Sequence, residues 1–402
     1  MTPRSAFLRQ GARVALLLLC FISILPLARP AAAAPAYAVW FRFAPEVEEN
    51  WKFAEVTGDP NQVIITPKYA PPNVGRKRIF VLYPSASYAY DIAMSTVLQS
   101  FAEKRLNVEF TAFTYGGKSD IGKQALALAE GGYNLILSMG SQSTAWLWQN
   151  YKGKRLPVVS ICSKDPVVLG QMTSYDKGSA TNFAFTSLNT PVQVQMGYVL
   201  ELKPSLKNIG ILVDSRNVSA VETQAKPVAD FLRAKGVNVL DLAVDGTVQV
   251  REQLVAKIRD AVQTMRKTDP ELQNSAFWIT GSTSVFNEIE TINLAAERVP
   301  VLSVVPEVVK PGDSSAVLSI GVSFESNAFV ASTYAEKILT GKAAAGDLRV
   351  GVISPPDIAV NMRRARDIGL SLPFSWFESA AYVYDYDGRA VRTKGRFAPS
   401  DM

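Results

Sequence analysis

From residue 78 onward the hydrophobic positions switch repeatedly between two periods. Ile79-Phe80-Val81-Leu82-Tyr83 is an unbroken apolar run, which predicts a strand covered on both faces. Met94, Val97, Leu98 and Phe101 follow at i, i+3, i+4 and i+7, the spacing of a helix with one buried stripe. Val108–Phe113 predicts the next strand, 119–130 a helix, Leu135–Leu137 a strand, Ser141–Tyr151 a helix and Leu156–Ile161 a strand. The order then recurs. Strands are predicted at Ile209–Val213, Val237–Leu240, Phe277–Ile279 and Val299–Ser303. Helices are predicted at 219–234, 248–266 and 283–297. Alternating elements of these lengths predict parallel sheets with helices on both faces.

The recurrence extends to short motifs. Leu137-Ser138-Met139-Gly140-Ser141 parallels Ile279-Thr280-Gly281-Ser282, and Leu156-Pro157-Val158-Val159-Ser160 parallels Val299-Pro300-Val301-Leu302-Ser303. The expected fold class is therefore α/β, with two similar doubly wound lobes. Before them, residues 40–76 carry Trp40, Phe41, Phe43, Trp51 and a Pro71-Pro72 stretch without a clear period, and read as an extension or strap.

The first residues follow different rules. Arg4, Arg9 and Arg13 precede an apolar run from Val14 to Leu27 and an alanine-rich stretch with A-x-A matches. Basic start, short apolar core and small-residue site predict a secretory signal peptide over 1–36, cleaved within 34–38. A membrane anchor would need a longer apolar run, about 20 residues. Composition matters here because the leader distorts it. The chain has a formal charge of +6, which would suggest an anionic partner, but residues 1–36 hold four arginines and no acid, so the mature chain is near +2. No nucleic-acid partner is expected. Cys20 leaves with the leader, so Cys162 cannot form an internal disulfide and reads as a small buried hydrophobe.

The chain contains no histidine. That excludes Ser-His-Asp and Cys-His nucleophilic sites, HExxH metal sites and imidazole acid–base chemistry. Neither GxxxxGK[ST] nor a GxGxxG after a strand is present, so nucleotide chemistry has no support. No catalytic residue, metal site or cofactor is expected.

Candidate chemistry concentrates where ligands of open parallel sheets collect, beyond the carboxyl ends of the strands. The first such loop holds Ser85, Ser87 and Tyr88. The third holds Ser141, Gln142, Ser143 and Thr144 at a helix start, where free N–H groups favour a carboxylate. Asp165 follows the fourth strand. The second lobe offers Asp214 and Asn217, then Ser282 and Thr283, then Glu307. An acid among these would hold an ammonium, and Tyr83, Tyr88, Tyr90 or Phe324 would cover an apolar side chain.

Five stretches carry a family resemblance. In order they are Ile79–Ser87; Leu156–Val159 running to Asp165-Pro166-Val167; Leu202–Gly210; Ile320–Phe324 leading to Ala335–Gly341; and Val360-Asn361 followed by Ala365–Pro373. Over roughly 77–382 the chain resembles the periplasmic substrate-binding proteins of ABC transporters with the type I fold, in particular the little-characterised branch that includes aromatic-amino-acid binders. The resemblance implies two lobes joined by several crossovers and closing on a small ligand. It implies lobe 1 at 77–190 with about 320–345 returning and lobe 2 at 191–319 with about 346–380 returning; an extension at 37–76 and a tail at 381–402 flank them. It also implies a membrane permease as partner, a periplasmic location and an amino acid or other carboxylate as ligand. A sensor signalling to a histidine kinase or other envelope receptor would share the fold. An enzyme working with carboxylates alone has no acid pair to support it. The extension, the polar insertion Arg266–Asn274 and the tail Tyr382–Asp387 depart from the family pattern.

Overall fold

The computed structural model describes residues 34–70 and 75–397; the expected signal peptide, apart from its last three residues, lies outside the described residues. The first sheet contains β1 (Trp51–Val56), β2 (Asp59–Pro67), β3 (Lys77–Tyr83), β4 (Val108–Thr114), β5 (Leu135–Met139), β6 (Val158–Ile161) and β7 (Phe183–Ala184), in the order β1-β2-β4-β3-β5-β6-β7. The second contains β8 (Asn208–Asp214), β9 (Asn238–Val244), β10 (Ser275–Ile279), β11 (Val301–Ser303), β12 (Leu318–Gly321), β13 (Asp357–Asn361), β14 (Tyr382–Tyr384), β15 (Ala390–Thr393) and β16 (Arg396–Phe397). Its order is β16-β15-β14-β13-β12-β11-β10-β8-β9. The parallel cores β4-β3-β5-β6-β7 and β9-β8-β10-β11-β12 have one strand order, with the first strand of each beside the second and third. The fold is α/β, and β5 and β10 are buried at every position because helices cover both faces.

The chain passes between the sheets three times. After β7 it enters the helix Val192–Leu202, whose Gln195 amide donates to the Ile320 carbonyl of β12. After β12 it returns through the helix Phe324–Leu339, which packs on the helix Tyr88–Glu103 and on β6. It then reaches β13, which runs antiparallel to β12. Two crossover segments are tied together, since Thr186 bridges Gly351, the Ser187 N–H donates to the Gly351 carbonyl, and the Gly351 N–H donates to the Phe185 carbonyl.

The extension is part of the first sheet. β1 and β2 form a hairpin, and β2 joins β4 antiparallel. It shows no single period because two 3₁₀ turns and two short strands share one stretch, and only β2 alternates, with Val63, Ile65 and Pro67 inward. Its aromatic residues form a buried cluster. Trp51 stands edge-on to Phe110 and donates from Nε1 to the Leu98 carbonyl, while Trp40 and Phe41 pack on Tyr83. The tail does the corresponding work on the other lobe, where β14 pairs with β13 in parallel and β15 and β16 continue the sheet. Two helices differ from expectation. The 219–234 segment carries a π-helical turn at Val221–Ala225. The 283–297 segment divides into Thr283–Phe286 and Ile289–Ala296.

Candidate functional site

The carboxyl ends of the two parallel cores face each other across a cleft of about 810 Å³. Lobe 1 supplies the β3 loop, the start of the helix Gly140–Tyr151, and the loop after β6. Lobe 2 supplies the loops after β8, β9 and β10. Ser85, Ser87, Ser141, Gln142, Asp214, Asn217, Thr283 and Phe324, each named from sequence, line this one cleft.

The backbone of lobe 1 brings a helix end directly to the cleft. β5 passes into Gly140–Tyr151 without an intervening loop, and Gly140 takes a φ of +77° at the junction. A Cβ there would collide with the hydroxyl of Tyr90, so glycine is required twice, by conformation and by space. Ser141 follows and accepts the backbone N–H of Lys164 at 2.9 Å. Ser87 precedes the helix Tyr88–Glu103 without capping it through its side chain.

Lobe 2 commits Asp214, Asn217 and Ser284 to its own loops. Asp214 accepts the N–H groups of Arg216 and Gly246 on Oδ1, at 2.9 and 3.1 Å, and the Ser284 hydroxyl on Oδ2 at 2.7 Å. Asn217 caps the next helical turn by accepting from Ala220 N–H at 3.2 Å. The Ser282 hydroxyl is buried, donates no contact to the cleft, and accepts the Asp214 N–H at 3.3 Å.

The remaining sequence-named residues lie elsewhere. Ser143 and Thr144 are fully buried; Ser143 donates to the Leu82 carbonyl and Thr144 to the Gly140 carbonyl. They sit on the inward face of their helix, one turn inside the exposed start. Asp165 folds back on its own turn, accepting the Val167 and Val168 N–H groups on Oδ1 and the Tyr175 hydroxyl on Oδ2. Tyr88 and Glu307 line a separate cavity of about 280 Å³ with Lys310, Tyr382 and Tyr384. Glu307 accepts the Phe324 N–H at 2.6 Å, its Oε2 is buried without a partner, and burial pushes its carboxyl up to about 8. Tyr83 packs beneath the extension, away from the cleft lining.

Lys164 was not singled out by sequence, and it is the most unusual group in the cleft. It is 7 % exposed, and its Nζ donates across to the Gly281 carbonyl of lobe 2 at 3.3 Å. Burial draws its pKa down to about 8. The signal lies one residue on. Asp165 before Pro166 is a turn-capping pair, and its carboxylate points into the loop while the neighbouring lysine reaches into the cleft. Cys162, beside it, is buried with its thiol pushed up by burial. Among the described residues no group of three or more Cys, Asp or Glu is placed to hold a metal, and no helix is long and apolar enough to cross a membrane.

Comparison with known proteins agrees with this geometry. The model of a family described as ABC transporter substrate binding protein matches residues 96–383. Among solved structures, an ABC domain from Streptococcus pneumonia in complex with L-Trp is similar at a TM-score of 0.60 and 18% identity, covering 76% of this chain and all of the other. A conserved domain protein from Vibrio cholerae has a TM-score of 0.59 at 18% identity, over 76% of this chain and 99% of its own. The open, ligand-free substrate binding protein CD0873 from Clostridium difficile, described as having adhesive properties, has 0.58 at 17% identity, over 80% of this chain and all of its own. No curated protein matches the sequence. The family match spans most of the chain, from within the helix Tyr88–Glu103 to β14, and includes the whole parallel core of the second lobe and the crossovers; the chain belongs to the ABC transporter substrate-binding family.

Proposed function

We propose that this chain is the exported, periplasmic solute-binding component of an ABC importer and that it captures an amino acid or another small carboxylate in the inter-lobe cleft. The observation that carries the reading is the facing of two strand-end loop clusters across one cleft, with the hydroxyls of Ser85, Ser87 and Ser141 and a helix start on one wall. Closure would bury the solute and expel water while the tied crossovers at Thr186 and Gly351 absorb the rotation. The closed form would then be read by a membrane permease. Family members bind small molecules and are generally not enzymes, and the absence of histidine fits capture and release without chemistry.

Thermal-shift titration across amino acids, organic carboxylates and sugars tests this. A ligand at about 100 times its Kd should stabilise the protein by about 2.7 kcal/mol. If no solute of any class raises the melting temperature, the binding role is wrong. Stabilisation by sugars alone would leave the binding role and remove the carboxylate.

A further inference from the structure

Resting on the reading of the cleft as the solute site, we infer that the solute is an organic anion without an ammonium group, and that Lys164 is its counter-ion. The titratable groups lining the cleft are Tyr90 from the helix Tyr88–Glu103, Cys162 and Lys164 from the β6 loop, and Asp214 and Arg216 from the β8 loop. Two are cations and one is an acid.

The acid is already committed, because three donors converge on Asp214 and occupy both of its oxygens. Arg216, at the mouth, donates to the Thr247 hydroxyl at 2.7 Å and lies 3.8 Å from Asp245. Lys164 is different. No ion pair among the described residues includes it. Its ammonium is buried on a single backbone carbonyl. An ammonium taken out of water is costly unless an opposite charge joins it, and the cleft is the space from which that charge can come. With a pKa of about 8 the group is still mostly protonated at neutral pH.

The surroundings suit an anion. The Ser141 hydroxyl, beside the Lys164 backbone, retains its own proton to donate. Ser85 and Ser87 stand at the same wall. The ammonium of an amino acid would find no equivalent welcome. Asp214 is held on both oxygens by its own loops, Asp165 is turned into its own loop, and Glu307 lines another cavity. The Gly281 carbonyl already accepts Lys164, and the Gln171 amide oxygen, buried in the lining without a partner, carries no charge to pair an ammonium. A second cation would face Lys164 and Arg216 instead.

Matched solutes test the inference. 3-Phenylpropanoate, L-phenylalanine and 3-phenylpropanamide share one ring and chain, as glutarate and L-glutamate share one diacid skeleton. Calorimetric and thermal-shift titration of the mature protein should show binding of at least one amine-free anion, with its aminated or amide counterpart about 10- to 100-fold weaker, the loss expected for a charged hydrogen bond. Lys164→Met should weaken that anion by a similar factor, and Lys164→Arg should restore part of it. Lys164→Gln serves where Met perturbs folding. Equal or tighter binding of the zwitterions, or a Lys164→Met protein that binds the anion unchanged, overturns the inference. Binding by zwitterions or neutral solutes alone would overturn it while leaving the solute-binding role standing. Failure of every class would remove both.

Discussion

On the lobe 1 wall of the cleft, Ser85, Ser87 and Lys164 carry no side-chain bond to their own loops, and a helix start opens directly toward the cleft. On the lobe 2 wall, Asp214, Asn217 and Ser284 occupy corresponding strand ends, yet each is engaged in holding its loop. The strand order is common to both, so topology alone does not decide which wall recognises the solute. What differs is the saturation of the polar groups. A side chain whose acceptors are already filled holds its loop, and one left open toward the cleft is free to read a ligand.

That contrast breaks most sharply at Asp214. Asp214→Ala strips the acceptor from two backbone N–H groups and one hydroxyl, and should cost about 3 kcal/mol of stability, since bonds to a charged acceptor contribute about 1.5–3 kcal/mol each and water recovers part of them. The double change Ser85→Ala with Ser87→Ala should cost less than about 0.5 kcal/mol, as surface substitutions do, while weakening solute binding. Urea unfolding of both proteins checks this. Equal loss of stability would mean that the two walls do not divide their labour.

The same distinction explains how far the sequence could be read. The apolar runs of β3, β5, β8 and β10 were legible because strands buried on both faces must be hydrophobic throughout. The loop clusters were legible because the fold class places ligand groups at strand ends. Direction was not legible. Nothing in the string Gly140-Ser141-Gln142-Ser143-Thr144 separates the residues at the exposed helix start from the two turned inward. That depends on the 100° step of a helix whose first residue sequence locates only loosely. Nor does composition tell a carboxylate that binds from one that caps a turn, which is why Asp165 drew attention and Lys164 beside it did not. The extension was obscured for another reason. Its strands lie at a sheet edge, where only every second position of β2 is buried.

The paired glycines of the two lobes carry the comparison into the backbone. Gly140 and Gly281 occupy matching places in near-matching motifs, yet only Gly140 has a left-handed φ, and only there would a Cβ meet a side chain in hard contact. At Gly281 the nearest atom would be Gln224 Oε1 at 3.2 Å, the end of a flexible side chain. Gly140→Ala should therefore cost about 2 kcal/mol, combining φ strain with overpacking against Tyr90. Gly281→Ala should stay within about 0.5 kcal/mol of the parent. Chemical denaturation measures both, and similar midpoints for the pair would show that the repeat is tighter than the geometry indicates.

The smallest effect is the most diagnostic, because it separates the open lysine from the filled acid by pH. Lys164 has a folded pKa of about 8, below the ordinary lysine value of 10.5. Between those values the unfolded chain still holds a proton that the folded chain has released, so stability rises with pH in that window. Below pH 8 the full penalty of the buried charge is present, and above the unfolded value it is gone. Relative to Lys164→Met, the parent should gain about 1 to 2 kcal/mol between pH 8 and 9.5, from about 1.4 kcal/mol per pH unit. Binding of an anionic solute should move the opposite way, weakening about tenfold by pH 9 as the free ammonium is lost, and Lys164→Arg should hold its affinity through that range. Opposed slopes for stability and affinity require a titrating group that is a burden to the empty protein and a partner to the solute. Parallel slopes, or a Lys164→Met protein with the parent's pH dependence, would return Lys164 to the same structural role as Asp214.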